Sequence, residues 1–333
     1  MQPEMDQPPG GSGPASLKPD SEAGGNPPAG GAFRPGNKPF TGETPADADG
    51  TSAPPRHPIA TPEFGLQWFG WTDRGKVRPN NEDSFVGLQF DAREVHHLGR
   101  VGEALTRNMD FAFAVSDGMG GAMAGEFASQ IVVEKLTTLL PRSFEQSALG
   151  LEAGFGDVLA EVFDQIHRAL TYVGSSYPEC LGMGATLSLS WFTPEWMYFG
   201  HIGDSRIYYL SAREGGIKQL SQDDTHVGWL FRQGKLNERE ARTHPRRKML
   251  QKALGGGNQF VDPQVGAVGY EAGDIFLLCT DGLVEGLYDH HLIELLREPS
   301  STAPDANPAR RLVEEAVQRD GGDNTTAVVI QVV

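Results

Sequence analysis

Four short segments share one design, an aspartate beside a glycine or other small residue at the end of an apolar strand. They are Val115-Ser116-Asp117-Gly118, Ile202-Gly203-Asp204-Ser205, Cys279-Thr280-Asp281-Gly282 and Gly321-Gly322-Asp323-Asn324. A fifth acidic pair, Glu82-Asp83, follows Arg78-Pro79-Asn80-Asn81. Any one Asp-Gly is ordinary turn chemistry. As a set the acids mean more, because strand ends within one sheet system can converge. Converging carboxylates cannot all stay ionised without a counter-charge. No nearby run of Lys or Arg supplies it, and divalent cations would. Oxygen ligands without His or Cys suit hard ions such as Mg²⁺ or Mn²⁺. Asp keeps the carboxylate short, and Gly lets a backbone carbonyl approach the ion.

The elements that must position these acids are legible as runs and periods. Residues 65–72, 84–88, 111–115, 186–192, 196–202, 206–210, 274–280 and 325–333 read as strands. Residues 90–108 are polar and aperiodic and read as a long loop or hairpin extension. Helical spacing is carried by Phe127, Ile131, Leu136 and Leu139 within 124–140, and by Val158, Leu159, Val162, Phe163, Ile166 and Leu170 within 155–173. Two further helices are predicted over 289–297 and 308–318. Residues 221–252 are polar and basic with short helical patterns. Runs of strands and paired helices, without strict alternation, predict an α+β domain with layered sheets.

Composition sets the limits. The first sixty residues hold thirteen of the 23 prolines and show no amphipathic period, so they read as a disordered tail (1–60) before a large domain (61–333). With 28 basic and 44 acidic residues the net charge is -16, which disfavours nucleic acid as a partner. Cys180 and Cys279 form no C-x-x-C pair, so a disulfide framework is not expected. Cys279, within Ile275-Phe276-Leu277-Leu278-Cys279, reads as a buried thiol. No run suits a membrane span and the N-terminus does not resemble a signal peptide, so a cytoplasmic location is expected.

The acidic segments together carry a resemblance. Arg78-Pro79-Asn80-Asn81-Glu82-Asp83-Ser84 resembles the R-x-x-N-E-D element of the metal-dependent protein phosphatases of the protein phosphatase 2C type. Asp117-Gly118-Met119-Gly120-Gly121 is similar to that family's D-G-x-G-G turn, and Gly184-Ala185-Thr186-Leu187 to its small-residue strand entry. His201-Ile202-Gly203-Asp204-Ser205-Arg206-Ile207-Tyr208 resembles its G-D-S-R turn. Leu278-Cys279-Thr280-Asp281-Gly282-Leu283 and Asp323-Asn324-Thr325-Thr326 resemble its last two acidic elements. All follow the family order and cover about residues 66–333.

The resemblance implies a four-layer α-β-β-α sandwich with two central antiparallel β-sheets. It implies two Mn²⁺ or Mg²⁺ ions per domain and room for a third. Asp117 would bridge the pair, the Gly118 carbonyl would bind one ion, and Asp281 and Asp323 the other. Glu82 would act directly or through water, and Asp204 with Asp281 would hold the third, weaker ion. Arg78 would grip phosphate with its planar fork, which makes Arg78 and Asp117 the catalytic candidates. The implied reaction is hydrolysis of phosphoserine and phosphothreonine by metal-activated water attacking in line. Phosphorylated proteins would be the substrates of a monomeric enzyme opposing a cognate serine/threonine kinase. A non-catalytic module of the same fold would show a core Asp or Arg78 replaced, and none is.

Three departures stand out. Met119 occupies the position where many eukaryotic members carry a proposed acid histidine, so leaving-group protonation falls to water or a residue such as His244. The 90–108 segment is longer than in minimal bacterial members, and the tail has no counterpart in the motif set. Residues 221–257 resemble the mobile flap of bacterial members; Arg242, Arg246, Arg247 and Lys248 make it basic, either as a solvated face or as a substrate contact.

Overall fold

The computed structural model describes residues 64–91, 93–107, 109–120, 123–148, 154–194, 196–299 and 306–333. The expected tail over 1–60 lies outside the described residues. In chain order the elements are β1 (Gly65–Asp73), β2 (Asp83–Phe90), β3 (Val95–His97), β4 (Val101–Leu105), β5 (Asp110–Met119), α1 (Ala124–Ala148) and α2 (Phe155–Ser176). Then come β6 (Gly184–Ala185), β7 (Leu187–Phe192), β8 (Trp196–Ile202), β9 (Arg206–Leu210), β10 (Ile217–Gln219), α3 (His226–Arg232) and α4 (Glu238–Thr243). The last are β11 (Leu254–Gly255), β12 (Gln264–Gly269), β13 (Ile275–Cys279), α5 (Asp281–Gly286), α6 (Asp289–Arg297), α7 (Pro308–Arg319) and β14 (Thr325–Val332).

Two antiparallel sheets stack face to face. One runs β10-β9-β13-β14-β1-β4, and the other β11-β6-β5-β7-β8-β12 with β2 and β3 continuing from β5. The period of two in the central strands builds the layers. In β5, Phe111, Phe113 and Val115 point between the sheets, while Ala112 and Ala114 face α1 and α2. In β14, Val328, Ile330 and Val332 point between the sheets, while Ala327 and Val329 face α5, α6 and α7. Three apolar layers therefore separate four structural ones, the expected α-β-β-α sandwich.

Glycines set the spacing where rings need room. A Cβ on Gly200 of β8 would lie 2.6 Å from the Phe163 ring of α2, and one on Gly70 of β1 would lie 2.4 Å from the Phe85 ring of β2. Between the sheets, Phe276 meets Phe192 at a centroid distance of 5.2 Å and Tyr209 at 5.2 Å.

The structure corrects several local expectations. For the 90–108 segment the hairpin-extension reading holds for β3, which pairs with β2, but not for β4, which crosses to the other sheet and pairs with β1. Helix α1 runs through Pro141 rather than stopping at Leu140. Phe127 is 46% exposed, because the buried stripe of α1 follows Ala124, Ala128, Ile131, Val132, Leu136 and Leu140, and Phe127 lies on its flank. The elements β12 and α5 carry only weak periodic signals in the sequence.

Phe276 tests the layer between the sheets, where it is fully buried. Phe276→Ala is expected to cost about 3–5 kcal/mol, as large-to-small changes in close-packed cores do. Urea denaturation reads this, and a midpoint unchanged from wild type would contradict the packing described.

Candidate metal centre

Five chain segments bring acids to one end of the two sheets. β2 begins at Asp83 beside Glu82, and β5 reaches Asp117 and Gly118 near its end. β8 is followed by the turn at Asp204, β13 hands over to α5 at Asp281, and Asp323 precedes β14. Asp83 and Asp117 are direct cross-strand partners. Asp281 and Asp323 place carboxylate oxygens within 4.8 Å of each other and of Glu285.

Hydrogen bonds lock these segments together. Asp83 Oδ2 accepts from the Thr280 and Thr326 hydroxyls, each at 2.7 Å, so a carboxylate of one sheet is clamped by the other. Thr186 Oγ1 accepts from the Asp117 amide at 2.9 Å and contacts Ser205 Oγ at 2.7 Å, tying β5 to the turn that carries Asp204. Asn324 Oδ1 accepts from the Glu82 amide at 2.8 Å, and Asn324 Nδ2 donates to the carbonyls of Arg74 and Asn80 at 2.9 Å. The loop bearing Arg78 is thereby stapled to the segment bearing Asp323.

Backbone fit matters at Gly118. A Cβ there would lie 1.9 Å from the Gly125 carbonyl oxygen. A Cβ on Gly125 would in turn lie 2.8 Å from the Gly118 oxygen and 2.9 Å from the Glu82 carboxyl carbon. The Gly118 carbonyl and the Glu82 carboxylate therefore sit side by side against the first turn of α1, an approach that side chains would block.

Electrostatics divides the acids. Burial, then the charges of Asp83, Asp281, Asp204 and Asp323, holds Asp117 well above the ordinary carboxylate range. Burial and then Asp281 do the same to Asp204. Burial pushes Asp83 to about 7 despite its two threonine donors, and pushes Asp281 to about 6 against the pull of Lys248. Burial also raises Glu82. Asp323 is the exception: burial pushes it up, but hydrogen bonds from Lys248 and Arg78 outweigh that and hold it below the usual value.

Those two cations correct the expectation that no basic residue serves the acids. Arg78 grips Asp323 with both ends of its fork, Nε at 2.8 Å from Oδ1 and Nη2 at 2.9 Å from Oδ2. Lys248 Nζ lies 2.5 Å from Asp323 Oδ2, 3.0 Å from Glu285 Oε1 and 3.5 Å from Asp281 Oδ2. The missing signal is long-range: Lys248 is 75 residues from Asp323 in the chain. Asp83 and Glu285 likewise join the cluster only in the fold. Asp83 carries the same motif signal as its neighbour Glu82, whereas Glu285 is visible only as the residue one helical turn after Asp281.

The acids are all oxygen donors, and two buried carboxylate oxygens, Asp83 Oδ1 and Asp281 Oδ1, have no hydrogen-bond partner. That donor chemistry fits hard divalent cations. Beside the acids lies a cleft of about 600 Å³ whose walls include Asp204, Arg206, Lys248, Asp281, Glu285 and Tyr288. Behind it His201 is fully buried between Ser188 Oγ at 2.9 Å and the Gly203 carbonyl at 3.1 Å, and burial pushes its pKa down to about 4. His201 therefore shapes the Asp204 turn as a neutral ring. The Cys279 thiol is fully buried and pushed up to about 12 by that burial.

Comparison with known proteins places this geometry. A sequence profile of the family described as protein phosphatase 2C matches residues 103–315. The serine/threonine protein phosphatase PstP of Mycobacterium tuberculosis is 34% identical over 272 residues, which is 80% of this chain but 45% of that protein. This chain thus spans under half the length of that relative. The serine/threonine phosphatase stp of Listeria monocytogenes is 28% identical over 78% of this chain and 93% of its own length. A crystal structure described as the PstP catalytic domain in complex with two manganese ions superposes with a TM-score of 0.61 at 33% identity, covering 81% of this chain and 99% of that one.

The raised carboxyls give the centre a pH signature in chelator. Each keeps a proton in the folded chain at pH values where the unfolded chain has lost it. Their contribution to stability is full below the ordinary carboxylate pKa and is lost as pH rises past about 6 for Asp281 and about 7 for Asp83. Asp323, held low, contributes in the opposite sense, above the ordinary value. With EDTA present, the melting temperature is expected to fall from about pH 5 to about pH 8, and Asp83→Asn to flatten the fall. A melting temperature that climbs across this interval would contradict the assignment.

Proposed function

The chain belongs to the protein phosphatase 2C family, and from that premise we propose that it hydrolyses phosphoserine and phosphothreonine in proteins at a binuclear Mn²⁺ or Mg²⁺ centre. The observation that carries the proposal is the gathering of Glu82, Asp83, Asp117, Asp204, Asp281 and Asp323 at one sheet end with two carboxylate oxygens unpaired. The catalytic unit is residues 61–333, with 221–257 as its flap, and 1–60 is a tail outside the chemistry.

In this reading Asp117, the Gly118 carbonyl, Glu82, Asp281 and Asp323 would hold the cation pair, and Asp204 with Asp281 would hold an accessory third. When bound, the cations supply Lewis-acid activation of the phosphate ester and of the attacking water. The chain's own residues do the rest. Asp83, clamped by Thr280 and Thr326, fixes the two sheets in register beneath the centre. Arg78 is partly exposed beside Asp323, and the guanidinium N–H groups not turned to that carboxylate can bind phosphate oxygens and stabilise the charge that builds on them. Met119 follows Gly118 but has no proton to give, so the leaving oxygen takes its proton from water or from a residue such as His244.

The partners follow from the reaction. Phosphoproteins are the substrates, and a serine/threonine kinase is the opposing activity of a monomeric enzyme. No helix among the described residues is long and apolar enough to cross a membrane. Two free, buried thiols suit the reducing cytoplasm.

The test is release of phosphate from a phosphothreonine peptide with Mn²⁺ and with EDTA. Turnover is expected to vanish in chelator. Asp117→Asn, Asp281→Asn and Asp323→Asn should each lower kcat by about a hundredfold or more, the scale of losing a preorganised charge-stabilising group. Rates that persist in EDTA would sink the proposal. Arg78→Ala is expected to raise KM by about tenfold or more, since hydrogen bonds to charged groups contribute ~1.5–3 kcal/mol. An unchanged KM would remove Arg78 from phosphate binding.

A further inference from the structure

The flap delivers a positive charge into the acidic cluster. The Lys248 ammonium reaches Asp323, Glu285 and Asp281 at once, at 2.5, 3.0 and 3.5 Å. Among the described residues, these three acids are the group whose oxygens lie close enough together to share an ion. The flap's two ends are fixed elsewhere. Arg206 forks onto Asp223 at 2.7 and 2.9 Å, Thr225 bridges to Leu250, and the Gln251 amide donates to the Asp224 carbonyl at 2.7 Å. Between those anchors the segment with α3 and α4 reaches α5 through three basic side chains. Arg242 donates to the Val284 and Leu287 carbonyls, Arg247 lies 3.4 Å from Glu285, and Lys248 makes the contacts above.

We infer that Lys248 is a tethered competitor for the cation held by Asp281 and Asp323, so that metal loading expels its ammonium and loosens the flap from α5. The inference rests on the reading of these acids as a divalent-cation centre. An ammonium within hydrogen-bond reach of Asp323 Oδ2 and a divalent ion on the same carboxylate repel each other at contact distance. The lone pair that Asp323 gives to one is withheld from the other. The tether keeps the ammonium at a high effective concentration, so competition does not depend on ions in the medium. Expelling Lys248 also removes one of the two basic residues that pair with Glu285, leaving Arg247 and the carbonyl contacts of Arg242 to hold the segment. Metal affinity and flap mobility are thereby linked through one side chain.

Calorimetric titration of Mn²⁺ into the chelator-stripped full chain reads this without turnover. Lys248→Met keeps the aliphatic stem and removes the charge, and its Kd for Mn²⁺ is expected to fall about tenfold, the scale of removing one nearby like charge. Lys248→Arg should stay close to wild type. Lys252→Met removes an ammonium that pairs with Asp262 in the same region and should leave the Kd unchanged. Hydrogen exchange of residues 238–250 should quicken when Mn²⁺ is added to wild type and be fast in Lys248→Met beforehand. Lys248→Gln is a second neutral variant should Lys248→Met fold poorly. A wild type that binds no Mn²⁺ overturns both the centre and the inference. A wild type that binds it while both neutral variants bind equally or more weakly overturns the inference alone. Unchanged Mn²⁺ affinity with a raised KM for phosphopeptide would assign Lys248 to the phosphate instead.

Discussion

Carboxylates gathered at one end of two stacked sheets repel one another, and the fold has to hold them there against that repulsion. Burial first, and that repulsion after it, raises the pKa values of Asp83, Asp117, Asp204 and Asp281. At Asp83 and Asp117 the restraint is supplied by neutral donors rather than by opposite charge, which is confined to the Asp323 side. Thr280 and Thr326 clamp Asp83 across the sheets, Thr186 ties Asp117 to the Ser205 turn, and Asn324 staples two loops. Neutral hydroxyls and amides fix position without cancelling charge, so the acids remain electrostatically hungry. That is the property a cation site needs.

The same constraint explains why the acids sit where strands end. A carboxylate within a buried strand would face a core such as Phe111, Phe113 and Phe276, which offers no donors. At the sheet end the backbone turns, amides and hydroxyls come free, and glycine at 118 leaves room for the Gly125 carbonyl, from which a Cβ would lie only 1.9 Å away. Antiparallel neighbours then bring distant residues together. Asp83 and Asp117 become partners because β2 and β5 are paired, and Asp281 meets Asp323 because β13 pairs with β14.

This is also why the acids were legible in the sequence while their counter-charges were not. Each acid carries a local mark, an apolar run next to an Asp and a small residue, and local marks survive in a linear reading. The helices over 289–297 and 308–318 were marked as clearly, by amphipathic period. Lys248 has no such mark; it is one basic residue among several in a polar stretch, and its place is set by how residues 221–257 fold back onto α5. Phe127 failed for a related reason, since a helical period gives a stripe but not its edges. The crossing of β4 to the opposite sheet is a tertiary choice that a short polar strand does not announce.

The resulting centre is electrostatically lopsided. Asp117 and Asp204, where burial and neighbouring acids outweigh the pull of any cation, Arg206 at Asp204 included, are held toward their protonated forms, whereas Asp323 is held ionised by Arg78 and Lys248. Ions that require deprotonated ligands must therefore displace protons at the inner acids and an ammonium at the outer one. These displacements differ in kind. A proton leaves to solvent, while Lys248 remains attached to a segment anchored at Thr225 and Leu250. Proton loss weighs most at the inner acids, and the position of the flap at the outer one. One acidic cluster thus couples the charge state of a buried sheet end to the position of a surface segment, and no contact beyond those of Lys248 is required to link them.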